Sequence, residues 1–255
     1  MKIALIGYGK MGKTIERIAT GRGHEIVSII DIDNQADFNT DEFRSADVAI
    51  EFTTPSTAVE NYLKAFAQGV PVVSGSTGWT SRLNEIKEIC DRGEATFFWT
   101  SNFSIGVNLF FALNKYLSAL MDNFMEYSPS MNEIHHIHKL DHPSGTAITL
   151  AEGIIEKTGR IRNWTESSAY EPEELPIFHE RTGETPGTHT ISWDSAVDTI
   201  TIEHKAKSRE GFALGAVVAA EWVNNRKGFL TMDELMHSII ARHNLPDTNQ
   251  TQNHD

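Results

Sequence analysis

The residue types best suited to chemistry crowd into one run, Glu133-Ile134-His135-His136-Ile137-His138-Lys139-Leu140-Asp141-His142-Pro143-Ser144-Gly145-Thr146-Ala147. Read as a strand over 131–140, its side chains alternate. Glu133, His135, Ile137 and Lys139 then share one face, and His136 and His138 share the other. The first face offers a proton carrier that titrates near neutrality beside a cation. A lysine beside a histidine holds an anionic substrate and stabilises developing negative charge. Ser144, Gly145 and Thr146 follow a proline and open a helix, an anion-binding N-terminus with hydroxyls added, suited to a carboxylate. Ser144 is read as a helix cap and a ligand at once. His136 and His138 could share a zinc ion, but only carboxylates and His142 lie nearby as further ligands, and no metal is expected. Ser144 has no G-x-S-x-G elbow, which argues against a hydrolase.

A second set of candidates opens the chain. Gly7-Tyr8-Gly9-Lys10-Met11-Gly12 fits G-x-G-x-x-G. The first glycine permits a tight turn, the second lets the backbone approach a pyrophosphate, and the third allows close helix–strand packing. The loop follows an apolar run and precedes residues at helical spacing, so free N–H groups and a positive dipole end face the phosphate. The alternative is a glycine turn without a ligand. Asp31 lies one strand downstream, where an acid accepts hydrogen bonds from the adenosine ribose. Its charge repels a 2′-phosphate and Ile32 beside it supplies no cation, so NADH is expected over NADPH. Asp33 is the alternative ribose acid. Gly75-Ser76-Thr77 and Thr100-Ser101-Asn102-Phe103 each follow a predicted strand, on the carboxyl edge where open α/β sheets bind ligands. They are candidates for the nicotinamide side, and Glu51-Phe52-Thr53-Thr54-Pro55 is a weaker candidate on the same edge.

These loops need a scaffold. Strands are predicted over 2–6, 24–30, 47–52, 70–74 and 95–99, with helices over 11–18, 55–68 and 80–92. Strands alternating with helices mean a parallel sheet covered on both faces. Further on, helices are predicted over 106–125 and 144–157, and a long loop rich in Glu, Pro and Gly over 159–187. Two antiparallel strands follow over 188–193 and 199–205, then helices over 212–224 and 231–242. The tail from Asn244 reads as frayed. The fold class is therefore α/β: a Rossmann-like doubly wound parallel sheet plus an α+β domain. Residues 1–103 and 213–255 form the expected dinucleotide-binding domain, and 104–212 the substrate domain.

Composition narrows the class of partner. The 255 residues carry 22 Lys and Arg against 35 Asp and Glu, a formal charge of −13. Such a chain repels phosphate backbones and anionic lipid, so neither nucleic acid nor membrane is an expected partner. The single cysteine, Cys90, cannot form an intrachain disulfide, and a reducing, cytoplasmic compartment is expected. The apolar run near Met1 is too short for a signal peptide.

Taken together, these motifs resemble the 4-hydroxy-tetrahydrodipicolinate reductase (dihydrodipicolinate reductase) family of lysine biosynthesis, over nearly the whole chain. The most specific part is the family pattern E-x-H-H-x-x-K-x-D-x-P-S-G-T. The chain matches it at Glu133, His135, His136, Lys139, Asp141, Pro143, Ser144, Gly145 and Thr146. The resemblance implies NAD(P)H-dependent reduction of a cyclic dicarboxylate, with loss of water and hydride delivered to C4. It implies His135 as the acid/base, Lys139 as proton donor and anion partner, and His136, Ser144, Gly145 and Thr146 as substrate contacts. It also implies a homotetramer built through second-domain sheets. The chain departs from the pattern with a shorter glycine loop, with His142 in place of the usual alanine, and with Ile32 where some members carry arginine. Substrate and cofactor are both anions, so the net charge opposes binding. Lys139, the helix N-termini at Gly12 and Ser144, and also Lys205 and Arg209 are the expected local counterweights.

Overall fold

A computed structural model describes residues 1–208 and 210–241. The chain divides into two compact units, one made of Met1–Ile105 with the segment from Glu210, the other beginning at Gly106. Arg209, Arg242 and the tail from Asn244, named above, lie outside the described residues.

The first unit holds β1 (Lys2–Ile6), α1 (Lys10–Gly21), β2 (Glu25–Ile30), α2 (Asp41–Arg44), β3 (Val48–Glu51), α3 (Ala58–Ala67), β4 (Val72–Ser74), α4 (Leu83–Asp91) and β5 (Thr96–Trp99). The chain returns to it after the second unit with α7 (Glu210–Val223), β11 (Gly228–Thr231) and α8 (Met232–Ala241). The six strands form one parallel sheet in the order β11-β5-β4-β3-β1-β2. Alternation along β1 sends Ile3 and Leu5 to a cluster with Ile15 of α1 and Ala216, Val217 and Ala220 of α7. It sends Ala4 and Ile6 to the opposite cluster with Tyr62 of α3 and Ile86 of α4. The expected doubly wound sheet is thus present. Cys90 sits in the second cluster, where burial pushes its thiol up to about 11.

The second unit holds α5 (Ile105–Met121, in this unit from Gly106), β6 (Ser128–His135), α6 (Gly145–Lys157), β7 (Asn163–Thr165), β8 (Glu174–Arg181), β9 (Thr188–Asp194) and β10 (Thr199–Lys205). Its mixed sheet runs β10-β9-β6-β8-β7. One face packs Met131, Leu175, Ile177, Ile191 and Trp193 against Phe110 of α5 and Leu150 and Ile154 of α6.

Three expectations need correction. The strand expected over 131–140 ends at His135, where a turn closes with the Lys139 N–H donating to the His136 carbonyl. Ile137 and Leu140, whose apolar character extended the pattern, are exposed. The loop expected over 159–187 contains β7 and β8, and β8 is an interior strand paired in parallel with both β6 and β7. Its burial does not alternate: Leu175, Pro176 and Ile177 are buried in succession, then Phe178, His179 and Glu180 are exposed. A proline inside such a short apolar run argues against a strand, and the period-2 signal is missing. The short strand β11 falls in a segment to which no element was assigned.

Candidate active site

In the first unit the loop after β1 is shaped for close backbone approach. Gly7 has φ +91°, and a Cβ there would meet the Phe52 carbonyl oxygen at 2.3 Å. A Cβ on Gly12 would lie 2.3 Å from the Gly7 carbonyl oxygen, so the helix approaches the loop this closely only because Gly12 lacks one. Gly9, the N-cap of α1, faces open space and makes no side-chain cap, and no acid occupies the first turn of the helix. The leading N–H groups of α1, at Lys10, Met11 and Gly12, thus have no acid in their own first turn and no capping side chain to compete with an anion. Tyr8 donates its N–H to Asp31 Oδ2 at 3.0 Å, and Asp31 Oδ1 accepts the Ile32 N–H at 2.8 Å. The glycine loop and the expected ribose acid are thus joined directly, while Ile32 points 82% exposed into solvent. These residues fit a dinucleotide.

The two further loops are organised by Glu51, fully buried at the end of β3. Its carboxylate accepts from Ser74 Oγ (2.6 Å), Ser76 Oγ (2.9 Å), the Thr53 N–H (2.8 Å) and the Thr53 hydroxyl. The Ser76 carbonyl also accepts from Trp79 and Trp99 Nε1, each at 2.9 Å. Ser76 is consequently spent on architecture, and Thr77 is the exposed member of its loop. Gly75 packs so tightly that a Cβ would overlap the Phe52 ring. In the loop after β5, the Thr100 hydroxyl and the Asn102 backbone bond each other, and Asn102 Oδ1 accepts the Ser104 N–H. Phe103 is buried against Phe52 and Phe98, and Ser101 is exposed.

In the second unit the candidates close around Glu133, fully buried on β6. Arg181 Nη2 donates to its Oε1 at 3.0 Å, and the Ser144 N–H reaches both oxygens at 3.2 Å. His135 Nδ1 lies 3.3 Å from Oε2, close but off the line of a hydrogen bond. His189 Nε2 lies 3.6 Å from the same oxygen and 3.1 Å from Ser144 Oγ. Burial alone would raise the Glu133 carboxyl. The two imidazoles, Ser144 and Arg181 outweigh it and hold the carboxyl far below the usual carboxylate range. His189 is pushed below the usual imidazole range, by burial first and then by the neighbouring His135, against the pull of Glu133. A Cβ on Gly187 would lie 3.0 Å from His135 Nε2, so the missing side chain keeps that edge of the ring clear.

Ser144 caps α6 as expected, its Oγ accepting the Ala147 N–H at 3.2 Å. Gly145 faces open space and Thr146 is half-buried. His136 is half-buried beside the turn, its Nδ1 shielded and without a partner. The expected pairing of Lys139 with His135 along one strand face does not occur, because β6 has already ended. Lys139 Nζ instead holds both oxygens of Asp141 at 2.8 Å. Arg181 secures this turn, donating to the Lys139 carbonyl at 3.3 Å and the Asp141 carbonyl at 2.7 Å. Arg181, His189 and Gly187 were not singled out from sequence. Arg181 and Gly187 fell in the segment read as loop, and His189 carried no motif. Glu51 was ranked weak because hydroxyl donors on other strands leave no local signature.

Among the described residues no helix is long and apolar enough to cross a membrane. The two units are also recognisable by sequence. Residues 1–103 match the family description "Dihydrodipicolinate reductase, N-terminus", and residues 106–236 match "Dihydrodipicolinate reductase, C-terminus". A parallel-sheet unit followed by a mixed-sheet unit, matched over nearly the whole chain by these two descriptions, makes this chain an NAD(P)H-dependent oxidoreductase. It belongs to the dihydrodipicolinate reductase family. It is 46% identical over 241 residues to the 4-hydroxy-tetrahydrodipicolinate reductase of Christiangramia forsetii, covering 94% of this chain and 99% of that one. It is 33% identical to the Archaeoglobus fulgidus enzyme of the same name, over 92% and 100%. Among solved structures it is similar in fold to dipicolinate-bound dihydrodipicolinate reductase from Paenisporosarcina sp. TG-14, with a TM-score of 0.71 at 22% identity over 91% and 97%.

Proposed function

We propose that the chain reduces 4-hydroxy-tetrahydrodipicolinate to tetrahydrodipicolinate in the diaminopimelate route to lysine. The overall change loses one water and gains one hydride, at C4 of the ring, and one proton. The first unit, Met1–Ile105 with the described residues from Glu210, binds the dinucleotide, and the second, from Gly106, the substrate. Gly7, Tyr8, Gly9, Lys10, Met11 and Gly12 hold the pyrophosphate, and Asp31 takes the adenosine ribose. Gly75, Ser76 and Thr77, with Thr100, Ser101, Asn102 and Phe103, shape the nicotinamide side, mainly through backbone. NAD(P)H supplies the hydride, and the bare Ile32 beside Asp31 favours NADH.

His135 is the acid/base. Glu133 holds its Nδ1 side, and the Nε2 edge cleared at Gly187 is the one that passes the proton. The N-terminus of α6 at Ser144, Gly145 and Thr146 receives a ring carboxylate, with His136 beside it. Lys139 is the proton donor and anion partner, and it engages substrate by exchanging the Asp141 carboxylate for a substrate one. The face of the second sheet away from α5 and α6, carrying Asn132, Phe178, Thr190 and Ser192, supports assembly into a homotetramer. We place the enzyme in the cytoplasm.

The observation that carries this reading is the contact of His135 with the buried, ionised Glu133, which also grips the Ser144 N–H. Single-turnover oxidation of NADH with the product of dihydrodipicolinate synthase tests it. His135→Gln and Lys139→Ala should each lose most of the rate, and undiminished turnover in both would refute the site.

A further inference from the structure

A second convergence of imidazoles lies on the surface of the second unit, beside the Glu133 cluster, His179 being the register partner of Glu133 across β6 and β8. His142 comes from the loop ahead of α6, Glu166 follows β7, and His179 lies on β8. His142 Nδ1 is 2.9 Å from Glu166 Oε1, and His179 Nδ1 is 3.1 Å from the same oxygen. The two rings stack with centroids 4.4 Å apart and planes at 16°. Three chain segments thus present two nitrogens and one oxygen within 4.8 Å of one another.

We propose that His142, Glu166 and His179 form a binding site for a divalent ion of the zinc class. Tetrahedral zinc with bonds of about 2.0–2.2 Å sets its donors roughly 3.3 Å apart. The two nitrogen–oxygen separations, 2.9 and 3.1 Å, reach that with shifts of a few tenths of an ångström, and the third donor pair lies within 4.8 Å. Two imidazole nitrogens and one carboxylate select zinc, copper or nickel over magnesium or calcium, which prefer all-oxygen shells. The side chains of His142, Glu166 and His179 are 51%, 29% and 34% exposed, which leaves an entry route and open positions for water. The buried set Glu133, His135 and His189 offers the same donor types, but Arg181 already sits 3.0 Å from its carboxylate and repels a dication. His138 with Glu184 offers only one imidazole and one carboxylate. A bound ion would tie the loop carrying His142 to β7 and β8, two residues before Ser144.

Titration of tag-free, chelator-treated protein with zinc sulfate, followed by calorimetry, tests the site. Saturable uptake of one zinc per chain is expected, not displaced by magnesium. His142→Ala and His179→Ala should each weaken it by about tenfold or more, whereas His138→Ala should leave it unchanged. Zinc should also raise the Tm of the wild type but not of the double variant. Absence of saturable binding at micromolar zinc overturns the proposal, as does uptake that survives the double substitution or is lost with His189→Asn instead.

Discussion

Glu51 in the first unit and Glu133 in the second are both fully buried carboxylates, yet their surroundings differ in kind. Glu51 accepts only from neutral donors, the hydroxyls of Ser74, Ser76 and Thr53 and one backbone N–H. Together with burial, its charge pushes the Tyr62 hydroxyl far above the usual phenol range. Glu133 is met by a guanidinium, a backbone N–H and two imidazoles. Hydroxyls fix a carboxylate in place without answering its charge, so Glu51 serves to set loop geometry. A cation and imidazoles answer the charge, so Glu133 can bias where a neighbouring proton resides. The same residue type at the same burial thus meets only neutral donors in one unit, and a guanidinium and two imidazoles in the other.

The comparison can be broken most directly at Glu133. Glu133→Gln should lower kcat/KM by about a thousandfold, within the range for lost acid–base support. It should also cost roughly 3–5 kcal/mol of stability by stranding Arg181. Intact kcat in a destabilised variant, read from steady-state kinetics beside urea melts, would make Glu133 a fastener like Glu51. Glu51→Gln should cost about 1–3 kcal/mol and raise KM for the dinucleotide several-fold. Its kcat should change little, and a collapse of kcat would erase the distinction.

Acid stability sharpens the contrast. Glu133 and His189 are both held below their ordinary values in the folded protein. Each therefore contributes stability that is present above its unfolded pKa and is lost as pH falls through its folded one. Urea midpoints should decline below about pH 6.5 on account of His189, and again below about pH 4.3 on account of Glu133. His189→Asn should flatten mainly the first segment, which His204 shares, and Glu133→Gln mainly the second, each also moving the other because the two groups interact. The smallest effect is expected at the cofactor edge, where Ile32→Arg should shift the NADPH-to-NADH ratio of kcat/KM about tenfold toward NADPH. An unchanged ratio would remove Asp31 and Ile32 from cofactor selection.

What sequence revealed and what it hid follow one physical rule. The glycine loop and the Ser144 cap were visible because each is a local device: turn, cap and helix start lie within a few residues. The expected parallel sheet followed from elements with regular periodicity, such as β1 and α1. The alternation continues in sequence through Ile137 and Leu140, but tertiary bonds from Arg181 to the Lys139 and Asp141 carbonyls, and from the Ser144 N–H to Glu133, hold the turn that moves Lys139 off the strand. Arg181 and His189 escaped notice because their significance is the company they keep on neighbouring strands. The strand carrying Arg181 is stabilised by pairing on both edges rather than by its own pattern.

The sheet order of the first unit has a consequence for how the protein is made. Synthesis delivers β1 to β5 first, and β11, the outer partner of β5, only after about 130 further residues have emerged. Until then β5 is a bare edge, and the face lined by Leu5, Ile50, Val73 and Phe98 lacks the α7 residues that later cover it. The sheet of the second unit, by contrast, is complete by Lys205, before the last strand of the first unit has been made. The order of synthesis thus leaves the amino-terminal sheet with an open edge longer than the inserted one.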